Sequence, residues 1–257
     1  MTLEARELVI ESPLRPLLRN VNIAIKPGEL HVMLGPNGAG KSSLLKALSG
    51  LSQADSGQVL LKGQPLESYA VSKRSQFLVT LLQEQPLDFP FSVKDVVAMG
   101  SYPRDRSMMT CAPVVDDALD LLDISGLAER AYTSLSGGEK QRTHLARIFV
   151  QVTSQTEYLL LDEPLKGVDL KHQLQIMQHL KKLATYGKGV FIILHDLSLA
   201  AQFADTVSLI SEGEVVCTGS VAQVMTTPQL SAVFQTSIGA IEAEGKSLFF
   251  AQGSTNP

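Results

Sequence analysis

Gly35-Pro36-Asn37-Gly38-Ala39-Gly40-Lys41-Ser42 has the Gly-x4-Gly-Lys-Ser spacing of a phosphate-binding loop. Backbone N–H groups must come close to phosphate oxygens in such a loop, so side chains are excluded at Gly38 and Gly40. A helix starting near Lys41 aims its positive dipole end at the same anion. Lys41 reaches the β- and γ-phosphates and the Ser42 hydroxyl ligates Mg²⁺ in this chemistry. Gly35 to Ser42, with the adjoining Ser43, are therefore the candidate nucleotide-binding residues. A plain glycine-rich turn is the alternative. The loop follows a β-type run and precedes a helical one, which is the setting the phosphate chemistry requires.

Tyr158-Leu159-Leu160-Leu161-Asp162-Glu163-Pro164 is an apolar strand ending in two acids. A carboxylate at the C-terminal end of a strand lies beside the phosphate loop in an open α/β sheet. Asp162 then holds Mg²⁺, directly or through water, and Glu163 is the general base or the group that orients the attacking water. Alone, an apolar run ending in Asp-Glu is common. Joined to the phosphate loop it is a second signal for ATP hydrolysis.

Leu135-Ser136-Gly137-Gly138-Glu139-Lys140-Gln141 opens a helical pattern. Ser136 stands at the N-cap, while Gly137 and Gly138 leave backbone N–H groups uncovered. Locally this is an ordinary helix start. It is also a second anion-seeking helix end, not used by the chain's own phosphate loop.

These groups need a scaffold that brings strand ends and helix starts together. Short β-type runs occur at Leu8–Ile10, Val21–Ile25, Leu30–Leu34, Val59–Leu61, Phe77–Leu82, Tyr158–Leu161 and Val190–Leu194. A hairpin is expected from Val207–Ile210 and Val215–Cys217 around Glu212-Gly213. Helical spacing marks Lys41–Leu48, Val93–Met99, Val114–Leu122, Glu139–Val150, Leu170–Ala184 and Leu197–Phe203, with Ser92 and Asp95 as a capping pair. The alternation predicts an α/β fold with a mostly parallel sheet, an antiparallel β portion on the N-terminal side, and an inserted helical lobe. The expected layout is one domain over 1–257, with a nucleotide-binding core at about 1–86 and 156–257 and the lobe at about 87–155.

The 257 residues carry a net charge of −4 and no basic run longer than Lys73–Arg74 or Lys181–Lys182, which argues against a nucleic-acid partner. Cys111 and Cys217 are too isolated for a disulfide framework. The opening Met-Thr-Leu-Glu-Ala-Arg-Glu has no apolar core of a signal peptide, and no run approaches the roughly 18 apolar residues of a membrane span. The chain is not expected to cross a membrane by itself.

With these motifs in hand, Leu135–Gln141 resembles the signature motif of ABC transporter ATPases. Gln83, after a β run, looks like the Q-loop glutamine; Asp169, in Lys166-Gly167-Val168-Asp169, like the D-loop aspartate; His195, after Val190–Leu194, like the switch histidine. The likeness runs from about Leu3 to Val224, with the motifs in the family's order. It implies a head-to-tail homodimer with two ATP molecules in the interface, each held by the phosphate loop of one subunit and by Ser136, Gly137 and Gly138 of the other. It further implies that His195 contacts the γ-phosphate and that Gln83 links the Mg²⁺ and water region to a transmembrane permease dimer. Two features depart from the family. No aromatic residue precedes Tyr69 to stack on adenine, leaving an aliphatic residue or Arg15, and Leu165-Lys166-Gly167-Val168 replaces the usual small residues before the aspartate.

Gln83 to Pro103, including Phe89-Pro90-Phe91-Ser92-Val93, is similar to the ATPases of bacterial importers for haem, ferric siderophores and cobalamin. Haem is the first reading, a siderophore the second and cobalamin the third. Phe89 and Phe91 are either the apolar surface that docks the permease or ordinary core residues. A periplasmic substrate-binding protein is implied indirectly, and the implied location is the cytoplasmic face of the inner membrane, peripherally bound. His31, His144, His172 and His179 are not expected to touch haem. Non-transport ABC ATPases are the rival class; the repair type needs a very long coiled-coil insertion, which the span 87–155 cannot hold.

Overall fold

The structure, a computed structural model, describes residues 2–13, 16–83, 87–102, 108–243 and 245–252. Leu3–Ile10 (β1) and Leu18–Ile25 (β2) pair antiparallel. Leu30–Leu34 (β3) enters the central sheet and leads through the Gly-rich loop into helix Lys41–Leu48 (α1). Ser56–Leu61 (β4) and Gln64–Pro65 (β5) return to the first sheet, which has the order β2-β1-β4-β5. Helix Val71–Phe77 (α2) then leads into Leu78–Leu81 (β6). Val93–Ala98 (α3), Met108–Leu121 (α4) and Gly137–Gln151 (α5) follow and pack on one another.

Tyr158–Asp162 (β7), Leu170–Thr185 (α6), Gly189–Ile193 (β8), Leu197–Phe203 (α7), Thr206–Ser211 (β9) and Glu214–Gly219 (β10) restore the strand–helix alternation. The second sheet has the order β10-β9-β3-β8-β7-β6, parallel except where β10 pairs antiparallel with β9. Two short helices, Val221–Val224 (α8) and Thr227–Phe234 (α9), precede a hairpin of Ile238–Ala243 (β11) and Lys246–Ala251 (β12).

Every residue of β3, β7 and β8 is buried, as both-face coverage of a parallel sheet demands. The pleat divides them. Leu30, Val32, Leu34, Leu159, Leu161, Val190 and Ile192 join the core that includes Ile176 and Leu180 of α6 and Leu199 of α7. Met33, Tyr158, Leu160, Phe191 and Ile193 face the core under the first sheet, with Leu44, Leu45 and Leu48 of α1. Because β3, β8, β7 and β6 run in one direction, the segments after them emerge on one edge. That edge receives the phosphate loop, His195, Glu163 and Gln83.

Some elements differ from the pattern-based expectation. Val71–Phe77 is a helix with no fully buried residue, so it leaves no apolar stripe to read, and Phe77 closes it instead of opening β6. β1 starts at Leu3, because the register shifts between Ala5 and Leu8 while Glu7 takes φ 50°. This bulge breaks the period of two. Helix α4 begins at Met108 and carries Pro113 inside it, which hides its first turn from a propensity reading. The Glu212-Gly213 turn forms the predicted hairpin, with φ 50° and 84° as a type I′ turn needs.

Candidate functional site

The phosphate loop is shaped by two close approaches. Gly40, the N-cap of α1, takes φ 101°, and a Cβ there would lie 2.5 Å from the Leu17 carbonyl oxygen. No other residue fits without moving the backbone. Lys41 folds back over the loop, its Nζ donating to the carbonyls of Gly35 at 2.7 Å and Pro36 at 2.8 Å. Its ammonium is thereby held over the loop. Burial pushes the Lys41 amine below its ordinary range, opposed by the negative fields of Glu163 and Asp162.

Asp162, the last residue of β7, is 1% exposed, and its Oδ1 has no hydrogen-bond partner among the described residues. Burial pushes its carboxyl upward, although a hydrogen bond from Ser42 favours the charged form. A buried carboxylate oxygen left orphaned beside a serine hydroxyl is an unbalanced anion, and a small hard cation corrects that imbalance. Ser42 and Asp162 therefore fit Mg²⁺.

Glu163 stands just beyond the strand with φ 47°, a left-handed conformation that costs a non-glycine residue about 1 kcal/mol or more. The conformation turns its carboxylate into the cleft. His195 Nε2 lies 2.7 Å from Glu163 Oε1, and Gln83 Nε2 donates to Oε2 at 2.9 Å. Asp196, next to His195, caps α7 by accepting from the N–H groups of Ser198 and Leu199. That cap fixes the chain direction at His195.

Gly40, Lys41, Ser42, Gln83, Glu163 and His195 line one cavity of about 710 Å³, together with Asn37, Gly38, Ser43 and Leu17, while Asp162 is buried behind its lining. Its size is that of a nucleotide-scale pocket. Gly35, Pro36 and Ala39 shape the loop from behind it. Leu17 supplies an aliphatic wall next to Gly40, whereas Arg15 lies outside the described residues. Tyr69 packs on Phe77 and is not part of the cleft.

Ser136, Gly137, Gly138 and Asp169 are not in this cavity. Ser136 caps α5 in a reciprocal box: its Oγ accepts from the Glu139 N–H, and Glu139 Oε2 accepts from the Ser136 N–H at 2.8 Å. The serine contacts also hold the Glu139 carboxyl below its usual range. Gly138 packs so tightly that a Cβ would lie 2.6 Å from the Gly167 oxygen, and Gln141 Nε2 donates to the Pro164 carbonyl at 3.0 Å. Asp169 caps α6. The turn of Ser136 and the Gly167–Asp169 segment thus adjoin, while Leu165 and Lys166 of the same loop reach the chain's own cleft.

The unusual Leu165-Lys166-Gly167-Val168 stretch has a packing reason. Leu165 and Val168 are buried in the core, while Lys166 lines the cleft with Nζ 3.9 Å from Glu163 Oε2. Lys166 and Leu17 are residues that motif reading passed over. Lys166 was detectable as the exposed member of an i, i+3 pair with Glu163; Leu17 had no signal. The four histidines set aside as haem contacts all have protein partners. His31 pairs with Ser208, His144 with Tyr132, His172 with Asp169, and His179 packs on Phe149. Phe89 and Phe91 lie on the surface, 6.0 Å apart by ring centres. Among the described residues no helix is long and apolar enough to cross a membrane.

Residues 18–166 match the ABC transporter family. The chain belongs to the ABC transporter family. It is an ATP-binding, ATP-hydrolysing subunit of that type, with a mostly parallel α/β sheet, antiparallel strands on its N-terminal side, and packed helices. Similar proteins include the hemin import ATP-binding protein HmuV of Shewanella denitrificans, 44% identical over 86% of this chain and 88% of its own length. The protein of the same name from Hahella chejuensis is 43% identical over 86% and 88%. Among solved structures, a metal-chelate type ABC transporter in an inward-facing conformation superposes with a TM-score of 0.80 at 24% identity, covering 99% of this chain and 98% of that one. A bacterial ABC transporter cassette solved as a dimer gives 0.77 at 24% identity, covering 85% and 98%.

Proposed function

We propose that this chain hydrolyses ATP to energise haem uptake through a membrane permease. The observation that carries the hydrolytic role is the placement of Glu163, shared by His195 and Gln83, at the mouth of the loop that holds Lys41. Haem as cargo is supported by the names and similarity of the hemin import relatives.

In this reading Gly35 to Ser43 receive the triphosphate and Lys41 meets its β- and γ-oxygens. Glu163 orients the attacking water and draws off its proton as the water oxygen bonds to the γ-phosphorus and the β–γ bridge breaks. His195 contacts the γ-phosphate. Mg²⁺, when bound, neutralises charge developing on the phosphate oxygens, and Ser42, Asp162 and Gln83 are the residues that hold it. Ser136, Gly137, Gly138 and Asp169 serve the second subunit's ATP in a head-to-tail homodimer. That none of these four lines the chain's own cleft favours this assignment. Binding closes the pair, hydrolysis releases it, and the two states drive the permease dimer.

Phe89 and Phe91 are assigned to the permease contact, within a helical lobe at about 87–155 set in a core of about 1–86 and 156–257. A periplasmic binding protein delivers the cargo on the far side, and this subunit sits on the cytoplasmic face of the inner membrane. The test is reconstitution of the subunit with its partner permease in vesicles. ATP-dependent accumulation of haem, without accumulation of a ferric siderophore or cobalamin, supports the reading. Transport of either of the others in place of haem overturns the cargo.

A further inference from the structure

Asp169 does more than cap α6, because one residue holds its carboxylate twice. The backbone N–H of His172 donates to Oδ1 at 3.2 Å, and the His172 ring places Nδ1 2.6 Å from Oδ2. The acid is 62% exposed and the imidazole behind it only 11%. The far side of the ring meets a second set of groups. Nε2 lies 3.2 Å from Asp123 Oδ2 and 3.1 Å from Arg142 Nη1. Arg142 belongs to α5, one turn beyond Gly138, and the same Nη1 donates to the carbonyls of Leu122 and Asp123, each at 3.0 Å. Asp123 takes φ 53°, a left-handed turn just after α4 at which the carbonyls of Leu122 and Asp123 both accept from Arg142. Lys171 closes the cluster, its Nζ 3.0 Å from Asp123 Oδ2.

We propose that His172 is a positioning residue that aims Asp169 at the partner subunit and locks its angle to the Ser136–Gly138 turn through Asp123 and Arg142. The geometry favours this over a mere helix cap. A cap needs only the backbone N–H of the third helical residue, and any side chain supplies that. Here the ring removes the rotational freedom of the second carboxylate oxygen and ties it to α5, the helix whose first residues form the other half of the same surface. The α6 start, the α4 end and the α5 start therefore move as one piece. The inference rests on the cross-subunit role proposed for Asp169 above.

The experiment measures steady-state ATP hydrolysis of the full chain with Mg²⁺, comparing His172→Ala, His172→Asn and His172→Gln. The Asn amide places a donor near Nδ1, toward Asp169; the Gln amide places one near Nε2. Misaiming a group that completes the site is expected to lower kcat about 10- to 100-fold for Ala and Gln while KM for ATP stays within about twofold. Asn is expected to recover most of the parent kcat. A parent-like kcat in His172→Ala, or Gln equal to or better than Asn, overturns the proposal. If the Ala variant does not fold, the Asn and Gln pair decides. A parent chain that lacks ATP turnover overturns the underlying functional reading and takes this one with it, whereas an active parent matched by His172→Ala removes only the role of His172.

Discussion

His195 Nε2 and Glu163 Oε1 lie 2.7 Å apart at the mouth of the phosphate loop, while the other oxygen of Glu163 is held by Gln83. Both oxygens of the Glu163 carboxylate thus have side-chain partners. In the proposed function His195 contacts the γ-phosphate, and its 2.7 Å approach to Glu163 places the two groups on the same reacting centre.

Replacing His195 with Ala is expected to lower kcat about 100-fold or more while ATP affinity changes little, because a contact made to the γ-phosphate mainly in the closed state is lost. Phosphate-release kinetics beside calorimetric ATP binding measure the two separately. Equal losses in binding and turnover contradict the role.

Ser136→Arg tests the second anion site. The variant loses the Ser136–Glu139 box, a loss of about 1 kcal/mol from α5, and places a bulky side chain on the surface shared with Gly138. The monomer should keep its ATP affinity, because Ser136 is not among the residues that line the 710 Å³ cleft. ATP-driven dimerisation, followed by light scattering, should vanish. A dimer forming at parent ATP concentrations counts against the assignment.

Acid sensitivity of the fold has an identifiable source. Burial pushes His31 from its ordinary 6.5 down to about 4, and His144 likewise to about 4. Above pH 6.5 both folded and unfolded chains hold these rings neutral and stability is complete. Between 6.5 and 4 the unfolded chain takes protons that the folded one refuses, so stability falls as pH falls. The loss attributable to His31 between pH 7 and pH 5 is about 2 kcal/mol. Urea unfolding at the two pH values measures it, and His31→Leu should remove part of the slope. A slope unchanged by that variant contradicts the source.

The central sheet was legible because β3, β7 and β8 are buried on both faces and therefore read as unbroken apolar runs. The phosphate loop and the two acids were legible because phosphate chemistry restricts residue type as well as spacing. Helix α2 was not, since it has no buried residue and even its apolar Val71 is exposed, so its sequence carries no core-facing stripe. The C-terminal hairpin was missed for the same reason: β11 exposes Ala240, Ile241, Glu242 and Ala243 in sequence, so burial imposes no alternation there. Within the site, Gln83 and His195 could be found only through the order of neighbouring motifs, because a lone Gln or His at a strand end carries no chemistry by itself. The hub at His172 was hidden for a related reason. Asp123, Arg142 and Asp169 are far apart in the chain and meet only after three helices have packed.

In the proposed function Glu163 orients the attacking water and ATP closes two subunits around it. Glu163→Gln keeps the shape of the side chain and removes its charge, so the most direct measurement is phosphate release by this variant with its oligomeric state followed in ATP and Mg²⁺. Hydrolysis should fall about 10²-fold or more, with an ATP-dependent dimer that persists. Phosphate release at the parent rate, or a variant that stays monomeric at saturating ATP, would contradict these roles.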